Sequence, residues 1–467
     1  MILIKNGLMI DPLTGKEEHS NILINEGKIA KIACNNSAEQ TNELHNLQNE
    51  PENSCAEVNV SDIDLVGKML GNNVAVPDDL QVIDAKGCVV APGLVDVHVH
   101  FRDPGFTHKE DIETGARAAL RGGFTSVVLM ANTKPAVDNE ETLKYVLDKG
   151  AKTGLHVHTC ETITKRLKGE ELTDMDKLYS LGAAGFTDDG IPIMDADLLE
   201  KAMSKTAKIG VPVSLHEENP ALITNNGVNH GKASKHYGIE GSPREAEISL
   251  IERDLQIALK TGVILNVQHI STKEGVELVR QAKKNGSNIH AEATPHHFSL
   301  TEDAVTEHGT LAKMNPPLRE EEDRQAIIKG LQDGTIDIIA TDHAPHSEEE
   351  KAKPITEAPS GIIGLETALS LGITNLVDKG LMDTKHLLSL MTCNPAKMYG
   401  IPAGTIEEGK AADIVIFAPN EEWTVGNFAS KSHNSPFTGQ KLKGVVKYTI
   451  VDGEVQYSKL YPLSRTF

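Results

Sequence analysis

Two histidines one residue apart, His98 and His100, stand at the end of an apolar run that begins at Cys88 and breaks at Asp103-Pro104-Gly105. Side chains alternate between the two faces of a β-strand, so both imidazoles are expected to point the same way. Two imidazoles on one face of a strand end can hold one divalent metal ion. A pair of ordinary strand histidines is the alternative, which this motif alone leaves open.

Further Asp and His residues follow other short apolar runs. Any one of them alone is better explained as a helix cap, a turn residue or a buried structural histidine. Together with the first pair, however, they predict a metal site, and four imidazoles with two carboxylates suit zinc or a similar ion. This donor set is too large for one tetrahedral ion with an open position, so it favours two ions that share a carboxylate. The additional strand ends are Thr187-Asp188-Asp189-Gly190, His216, His269 and Thr341-Asp342-His343.

Four other histidines are kept outside this metal set. His156 and His158 lie on the third predicted strand, and His296 and His297 follow the seventh. We interpret them as packing residues or as supports for the ligands.

Short apolar runs alternate with amphipathic helical segments from Val89 onward, which is typical of repeated β-α units. Eight such runs predict an α/β fold, a closed (β/α)8 TIM-type barrel, whose catalytic side chains gather at the C-terminal strand ends. One helix is predicted to begin at a capping box, Thr107 to Glu110, and to run to Gly122-Gly123. The eight predicted strands are Leu94–His100, Thr125–Met130, Leu155–Thr159, Ala184–Thr187, Pro212–His216, Ile264–His269, Asn288–Ala291 and Asp337–Ala340.

β-prone runs also occur near both chain ends. The N-terminal strands are too few to be stable alone, so both ends are expected to build one small β-sandwich beside the barrel. An independent C-terminal domain is the alternative. The predicted boundaries are 1–88 and 403–467 for the sandwich and 89–402 for the barrel. The runs are Met1–Ile4, Asn21–Ile24, Lys28–Ile32, Ile414–Phe417, Val445–Val451 and Glu454–Tyr457.

A polar stretch interrupts the N-terminal part of the sandwich, from Asn35 to about Gln81. It holds nine Asn, nine Asp or Glu and one Lys, a composition that buries little surface. We therefore expect a mobile insertion at about 35–81. A short helix at Ile63–Leu70 is the less favoured interpretation, and a solvated loop is preferred.

The 467-residue chain has an ordinary globular composition, with 39% hydrophobic and 24% charged residues. Its net charge of -21 argues against a nucleic-acid or anionic-membrane surface. No N-terminal run has the length of a signal peptide or membrane span, so a cytoplasmic location is expected. The five cysteines are far apart and are predicted to be free thiols.

Five motifs along this chain resemble the dihydroorotases of the long, bacterial type, a branch of the amidohydrolase superfamily. The resemblance covers the chain from Val89 to its C-terminus and the N-terminal strands, whereas the polar insertion departs from the family pattern. The motifs are His98 to Gly105, Phe186 to Gly190, Thr294 to His297, Met314 to Leu318 and Ala340 to His346.

The resemblance implies a zinc centre with two ions, or with one. His98, His100 and Asp342 would bind the first zinc, His216 and His269 the second, and Asp189 would bridge the two. Asp342 would also be the catalytic acid and base. The implied substrate-binding residues are Arg102, Asn132 and His346 for a carboxylate, Asn315 and the backbone at Ser360-Gly361 for the ring, and His100 beside the metal.

The implied reaction is the reversible cyclisation of N-carbamoyl-L-aspartate to L-dihydroorotate, with loss of water, in de novo pyrimidine (UMP) biosynthesis. In the hydrolytic direction a metal-bridging hydroxide attacks the ring carbonyl, and Asp342 passes the proton to the departing nitrogen. Arg102 would supply the positive charge that an acidic protein needs to hold an anionic substrate, since its planar fork matches a carboxylate.

Two alternatives to a dihydroorotase are another cyclic-amide hydrolase and a non-catalytic scaffold protein. A hydantoinase or allantoinase would not need Arg102, and those enzymes generally bridge their metals with a carbamylated Lys, which is missing at the ends of predicted strands three and four. A scaffold partner of aspartate transcarbamoylase would have lost ligands, whereas every ligand position here is filled. Association with that enzyme alongside catalysis stays open, and homodimers are common among relatives.

Overall fold

The computed structural model describes residues 1–34, 58–71, 79–286 and 288–459. The strands of these ranges form two eight-stranded sheets, one parallel and one built largely from the chain ends. In chain order they are β1 (Ile2–Asp11), β2 (Lys16–Asn25), β3 (Lys28–Cys34), β4 (Gln81–Asp84), β5 (Val89–Pro92), β6 (Leu94–Val99), β7 (Phe124–Leu129), β8 (His156–Glu161), β9 (Gly185–Phe186), β10 (Pro212–Leu215), β11 (Ile264–Val267), β12 (Ile289–Ala293), β13 (Ile338–Ile339), β14 (Ile414–Thr424), β15 (Lys441–Val451) and β16 (Glu454–Ser458).

Strands β6 to β13 lie side by side in sequence order in the parallel sheet. The sheet closes because Val99, at the end of β6, pairs in parallel with His343, which follows β13. The backbone N–H of His100 also donates to the His343 carbonyl at 2.9 Å. Each predicted strand overlaps an observed one, so the TIM-type barrel is confirmed, and the C-terminal ends of its strands meet on one face.

The strands from the two chain ends form the predicted β-sandwich. Its sheet has the order β16-β15-β14-β5-β1-β2-β3, with β4 also paired to β1. Strand β5 joins the two halves, because it pairs in parallel with β1 and antiparallel with β14. The sandwich buries an apolar core to which both ends contribute, for example Ile4, Ile22, Ile414 and Ile450.

The helix after β6 begins later than the sequence predicts. It starts at Ile112 with Asp111 as its N-cap, and the capping box is formed by Asp111 and Thr114. The predicted box at Thr107 is wrong because the buried Glu110 carboxylate accepts hydrogen bonds from Ser430 and Thr114.

The helices of the described ranges are α1 (Val60–Leu70), α2 (Ile112–Arg121), α3 (Glu140–Gly150), α4 (Met175–Ser180), α5 (Ala196–Ile209), α6 (Lys232–Tyr237), α7 (Arg244–Thr261), α8 (Lys273–Lys283), α9 (Pro295–Ser299), α10 (Asp303–His308), α11 (Glu321–Asp333), α12 (Glu348–Lys351), α13 (Ala368–Gly372), α14 (Thr384–Met391) and α15 (Cys393–Tyr399). Within those same ranges, no helix is both long and apolar enough to cross a bilayer.

Part of the polar insertion is structured. Helix α1 begins after the N-cap Asn59, and its Val66 is completely buried in an apolar cluster that includes Leu3 and Leu23. Lys5 on β1 donates to the Asp62 carboxylate at 2.7 Å. The preference for a solvated loop at Ile63–Leu70 is therefore wrong, because this segment covers an apolar face of the sandwich. Residues 35–57 and 72–78 of the predicted insertion lie outside the described residues.

Candidate active site

The six predicted metal ligands come together at the C-terminal ends of the barrel strands. All six side chains are buried. They are positioned by β6 and by the residues that directly follow β6, β9, β10, β11 and β13. The ligands so placed are His98, His100, Asp189, His216, His269 and Asp342.

The first group of donor atoms converges around two carboxylates. The Nε2 atom of His100 lies 3.1 Å from Asp342 Oδ1 and 3.5 Å from Asp189 Oδ2. The Nε2 atom of His98 lies 3.6 Å from Asp342 Oδ1 and 3.7 Å from Asp189 Oδ1. Ligands at about 2.0–2.2 Å from one tetrahedral zinc ion would stand roughly 3.3–3.6 Å apart, so these spacings suit a shared ion.

The second group lies on the other side of Asp189. The Nδ1 atom of His216 faces His269 Nε2 at 2.9 Å and lies 3.9 Å from Asp189 Oδ1. The donor atoms of His98, Asp189 and His269 also all lie within 4.8 Å of one another. Asp189 therefore contacts both groups, which is the position that a bridging carboxylate requires.

Two of the histidines form hydrogen bonds through their outer nitrogens, and the outer nitrogen of a third faces a carboxylate. His98 Nδ1 contacts Glu292 Oε1 at 2.5 Å, and His100 Nδ1 contacts Asn132 Oδ1 at 3.0 Å. His216 Nε2 lies 3.2 Å from Glu218 Oε2. Since the Glu292 and Asn132 oxygens take a proton from the outer nitrogens of His98 and His100, a metal ion would bind the inner nitrogens of these two residues.

The surroundings of His98 indicate whether these residues fit a metal ion. Its Nε2 atom is completely buried and has no hydrogen-bond partner among the described residues. Burial lowers the pKa of His98, but the Glu292 carboxylate outweighs this effect and raises the pKa to about 10. Burial also raises the pKa of Asp342. A buried nitrogen that faces two carboxylates and holds a proton this strongly suits a divalent cation, which would take the place of that proton.

Three residues of this site have a left-handed backbone. The φ angles of Arg102, His269 and Asp342 are 59°, 30° and 48°. Non-glycine residues with positive φ are uncommon and tend to occur at functional sites, where the surrounding fold holds them. Here the unusual backbone directs two candidate ligands and the candidate anion-binding Arg into the same cavity.

A positively charged corner adjoins the donor groups. Arg102 Nη2 lies 3.4 Å from His346 Nε2, which in turn lies 2.8 Å from the Ser360 carbonyl oxygen. Burial, together with the charges of Arg102 and Lys109, lowers the pKa of His346, so this imidazole is neutral. The single proton of this neutral imidazole goes from Nε2 to the Ser360 carbonyl, so the N–H donors that this corner offers to an anion are those of Arg102.

The cavity above the donor groups has a volume of about 400 Å³. Two buried lysines hold its wall: Lys313 Nζ donates to the Ile355 and Ala358 carbonyls, and Lys351 Nζ donates to the Pro359 and Gly361 carbonyls. The structure thus brings the predicted substrate contacts into one space. Those that line the cavity are His100, Arg102, Asn132, Asn315, His346, Ser360 and Gly361.

Sequence reasoning missed the supports of the ligands. Asn132 was assigned to the substrate carboxylate, yet its Nδ2 atom donates to Asp189 Oδ2 at 2.8 Å while its Oδ1 contacts His100. Glu292 was not singled out, although it precedes Thr294-Pro-His-His by two residues and therefore shares a face of β12 with Thr294. Glu218 follows His216 by two residues, and this spacing could have indicated a carboxylate that supports the histidine.

The ends of the third and fourth barrel strands carry no Lys in the structure. β8 ends in Thr159-Cys160-Glu161, and β9 is followed by Thr187-Asp188-Asp189. Asp188 accepts hydrogen bonds from the backbone N–H groups of Ile163 and Thr164 and points away from the donor groups. The carboxylate between the two groups is therefore that of Asp189.

Comparisons with known proteins agree with this arrangement. Residues 89–455 match the model of the amidohydrolase family. The chain is 51% identical to the dihydroorotase of Clostridioides difficile (strain 630), over 98% of this chain and 100% of that protein. It is 47% identical to the dihydroorotase of Clostridium acetobutylicum, over 98% and 99%. An L-hydantoinase structure from Arthrobacter aurescens, 25% identical, superposes with a TM-score of 0.80 over 97% of this chain and 95% of that one.

Proposed function

Because the chain belongs to the amidohydrolase family and, within it, to the dihydroorotases, we propose that it interconverts N-carbamoyl-L-aspartate and L-dihydroorotate in de novo pyrimidine synthesis. The observation that carries this proposal is the Arg102–His346 corner beside the buried His and Asp donors. A substrate with a carboxylate next to a cyclic amide fits both features at once.

We further propose that the site takes zinc, with two ions per chain. His98, His100 and Asp342 would hold one ion, His216 and His269 the other, and Asp189 both. Bound zinc would supply a water of lowered pKa and would polarise the ring carbonyl. The orphaned Nε2 atom of His98, the hydrogen bond between His100 Nδ1 and Asn132, and the Glu218 carboxylate beside His216 support this assignment.

The substrate would be oriented by its carboxylate. Arg102 offers a planar pair of N–H donors, and His346, held by the Ser360 carbonyl, lines the same corner beside it. Asn315, whose Nδ2 atom lies 3.4 Å from His216 Nε2, and the backbone at Ser360-Gly361 would contact the ring. This orientation would place the ring carbonyl over the donor groups.

Asp342 would carry the proton. Its carboxylate lies 3.1 Å from His100 Nε2 and opens onto the same cavity. In ring opening it would accept a proton from the attacking water and deliver it to the departing ring nitrogen. In ring closure the same group would take the proton from the carbamoyl nitrogen.

A turnover assay of the zinc-loaded protein tests the proposal. Dihydroorotate and carbamoyl aspartate should both be converted, whereas hydantoin and allantoin, which lack the carboxylate, should react far more slowly. Faster turnover of hydantoin than of dihydroorotate would contradict the assignment of the Arg102 corner.

Metal content separates an enzyme from a scaffold. A catalytic chain should retain one to two zinc ions at the active site, whereas a chain that only supports aspartate transcarbamoylase should retain almost none there. Homodimer formation and association with aspartate transcarbamoylase stay predictions from the family resemblance.

A further inference from the structure

A second group of potential metal ligands lies at the opposite end of the barrel from the active site. It consists of His156, the first residue of β8, Asp413, which precedes β14, and Asp452, in the turn between β15 and β16. Strand β8 runs from His156 to Glu161, which separates this end from the active-site face by roughly 15 Å. The group therefore cannot share ligands with the active site.

The donor atoms have the spacing of a metal site. His156 Nε2 lies 3.1 Å from Asp413 Oδ2 and 3.8 Å from Asp452 Oδ2. In the active site, the distances between His nitrogens and Asp oxygens run from 3.1 Å to 3.9 Å. The three donor atoms also all lie within 4.8 Å of one another, as do those of His98, His100 and Asp342 in the active site.

The fold holds these ligands in place. The backbone N–H of Asp452 donates to Asp413 Oδ1 at 2.9 Å, which leaves Oδ2 directed at His156. Asp452 itself has a left-handed φ of 47° in this turn. The three ligands thus come from the barrel and from two separate strands of the sandwich, and their mutual positions follow from the packing of the two parts.

The local charge favours a cation. Across the described ranges, His156 is the only cationic side chain within 4.0 Å of either carboxylate. Its hydrogen bond to Asp413 raises the pKa of His156, despite the opposing effect of burial. The same two carboxylates that favour a proton on His156 would favour a metal ion in its place, and such an ion would displace that proton.

We propose that His156, Asp413 and Asp452 bind a divalent cation of the zinc class that joins the barrel to the sandwich. One imidazole and two carboxylates are a suitable set for such an ion. An adjoining cavity of about 490 Å³, lined by His156 and Asp452, has room for water as a fourth ligand. The ion would be structural, since this site is remote from the candidate catalytic residues, and the inference is independent of the proposed reaction.

Zinc binding by the full-length, zinc-loaded protein and two variants tests this proposal. Asp452→Asn removes one ligand whose side chain is 65% exposed, so the fold should tolerate it. His156→Gln removes the only nitrogen ligand. Asp303→Asn, an exposed carboxylate on α10, is the matched control. Equilibrium dialysis against zinc, with metal analysis of the protein, counts the ions per chain.

The wild type and Asp303→Asn should each bind one more zinc ion per chain than Asp452→Asn and His156→Gln. Added zinc should raise the Tm of the first two proteins more than that of the other two, because binding to the native state alone stabilises it. Turnover of all folded variants should be equal. The same zinc count in Asp452→Asn as in the wild type would overturn the proposal and would leave His156 as an ion-pair partner only. If His156→Gln fails to fold, the comparison with Asp452→Asn decides.

Discussion

Glu292 accepts a hydrogen bond from His98 Nδ1 at 2.5 Å, and both side chains are completely buried. The same Glu292 oxygen accepts the backbone N–H of His269 at 3.2 Å, and its other oxygen accepts Asn266 Nδ2 at 3.0 Å. One carboxylate on β12 therefore positions a ligand of each donor group. Such outer contacts set the tautomer and basicity of a metal-binding imidazole.

Replacing Glu292 should therefore weaken metal binding. Glu292→Gln removes the charge that favours the required tautomer of His98, and zinc affinity should fall by about 10- to 100-fold. Zinc competition with a chelator measures the change. Glu161→Gln is the matched control: burial raises the pKa of Glu161 to about 9, so its side chain is already neutral, and affinity should stay the same. An equal loss of zinc affinity in both variants would show that any substitution in the barrel core weakens zinc binding, and not the loss of the Glu292 contact in particular.

Asp342 should be required for turnover in both directions. Asp342→Ala should abolish ring opening and ring closure, because it removes a ligand and the proton carrier together. Asp342→Asn keeps the shape but cannot accept the proton, so rates should fall by about 10²–10⁴ or more. Metal analysis beside the kinetics separates the two roles, and a near-normal rate in Asp342→Asn would rule out the proton-transfer role.

Arg102 should determine binding of the substrate carboxylate. Arg102→Met should weaken the binding of dihydroorotate and of carbamoyl aspartate, since both carry the carboxylate, by about 2–5 kcal/mol if bound substrate completes the burial of the partly buried Arg102. Arg102→Lys should restore only part of this loss because it lacks the planar fork. KM and kcat for both substrates measure the effect, and unchanged values in Arg102→Met would exclude the proposed contact.

Reactivation of the metal-free protein should not depend on bicarbonate. Asp189 carries its own carboxylate, whereas a carbamate on Lys must be formed from carbon dioxide. After chelation and removal of bicarbonate, added zinc should restore the same activity with or without bicarbonate. Asp189→Ala should lose metal and activity together, and bicarbonate should restore neither. Activity that returns only with bicarbonate would show a Lys carbamate elsewhere in the site.

Helix α1 should contribute to stability and not to turnover. Val66 is completely buried against Leu3 and Leu23, so Val66→Ala should lower the free energy of unfolding by about 1–3 kcal/mol. Val60 on the same helix is 75% exposed, so Val60→Ala should change the free energy of unfolding by no more than about 0.5 kcal/mol. Denaturant unfolding compares the two variants. A Gly-Ser linker in place of 35–81 should also cost stability, because it removes α1.

Local patterns were sufficient to predict the barrel and to bring the candidate ligands to one face of it. Alternation along a strand places His98 and His100 on one face, and parallel strands bring their C-terminal ends to one rim. These rules depend only on neighbouring residues and on chain order. They failed at Glu110, whose carboxylate binds Ser430, a residue far along the chain, and at α1, where an apolar face of the sandwich outweighed a polar composition.

The sequence by itself determined which residues could act as ligands, because residue type and strand period are local properties. Only the tertiary structure decided how they are oriented. Glu292 and Asn132 reach His98 and His100 from other strands, and their hydrogen bonds select the inner nitrogens. The contact between His156 and Asp413 likewise exists only after the C-terminal strands pack beside the barrel, because contacts between residues 257 positions apart are set by packing and not by local pattern.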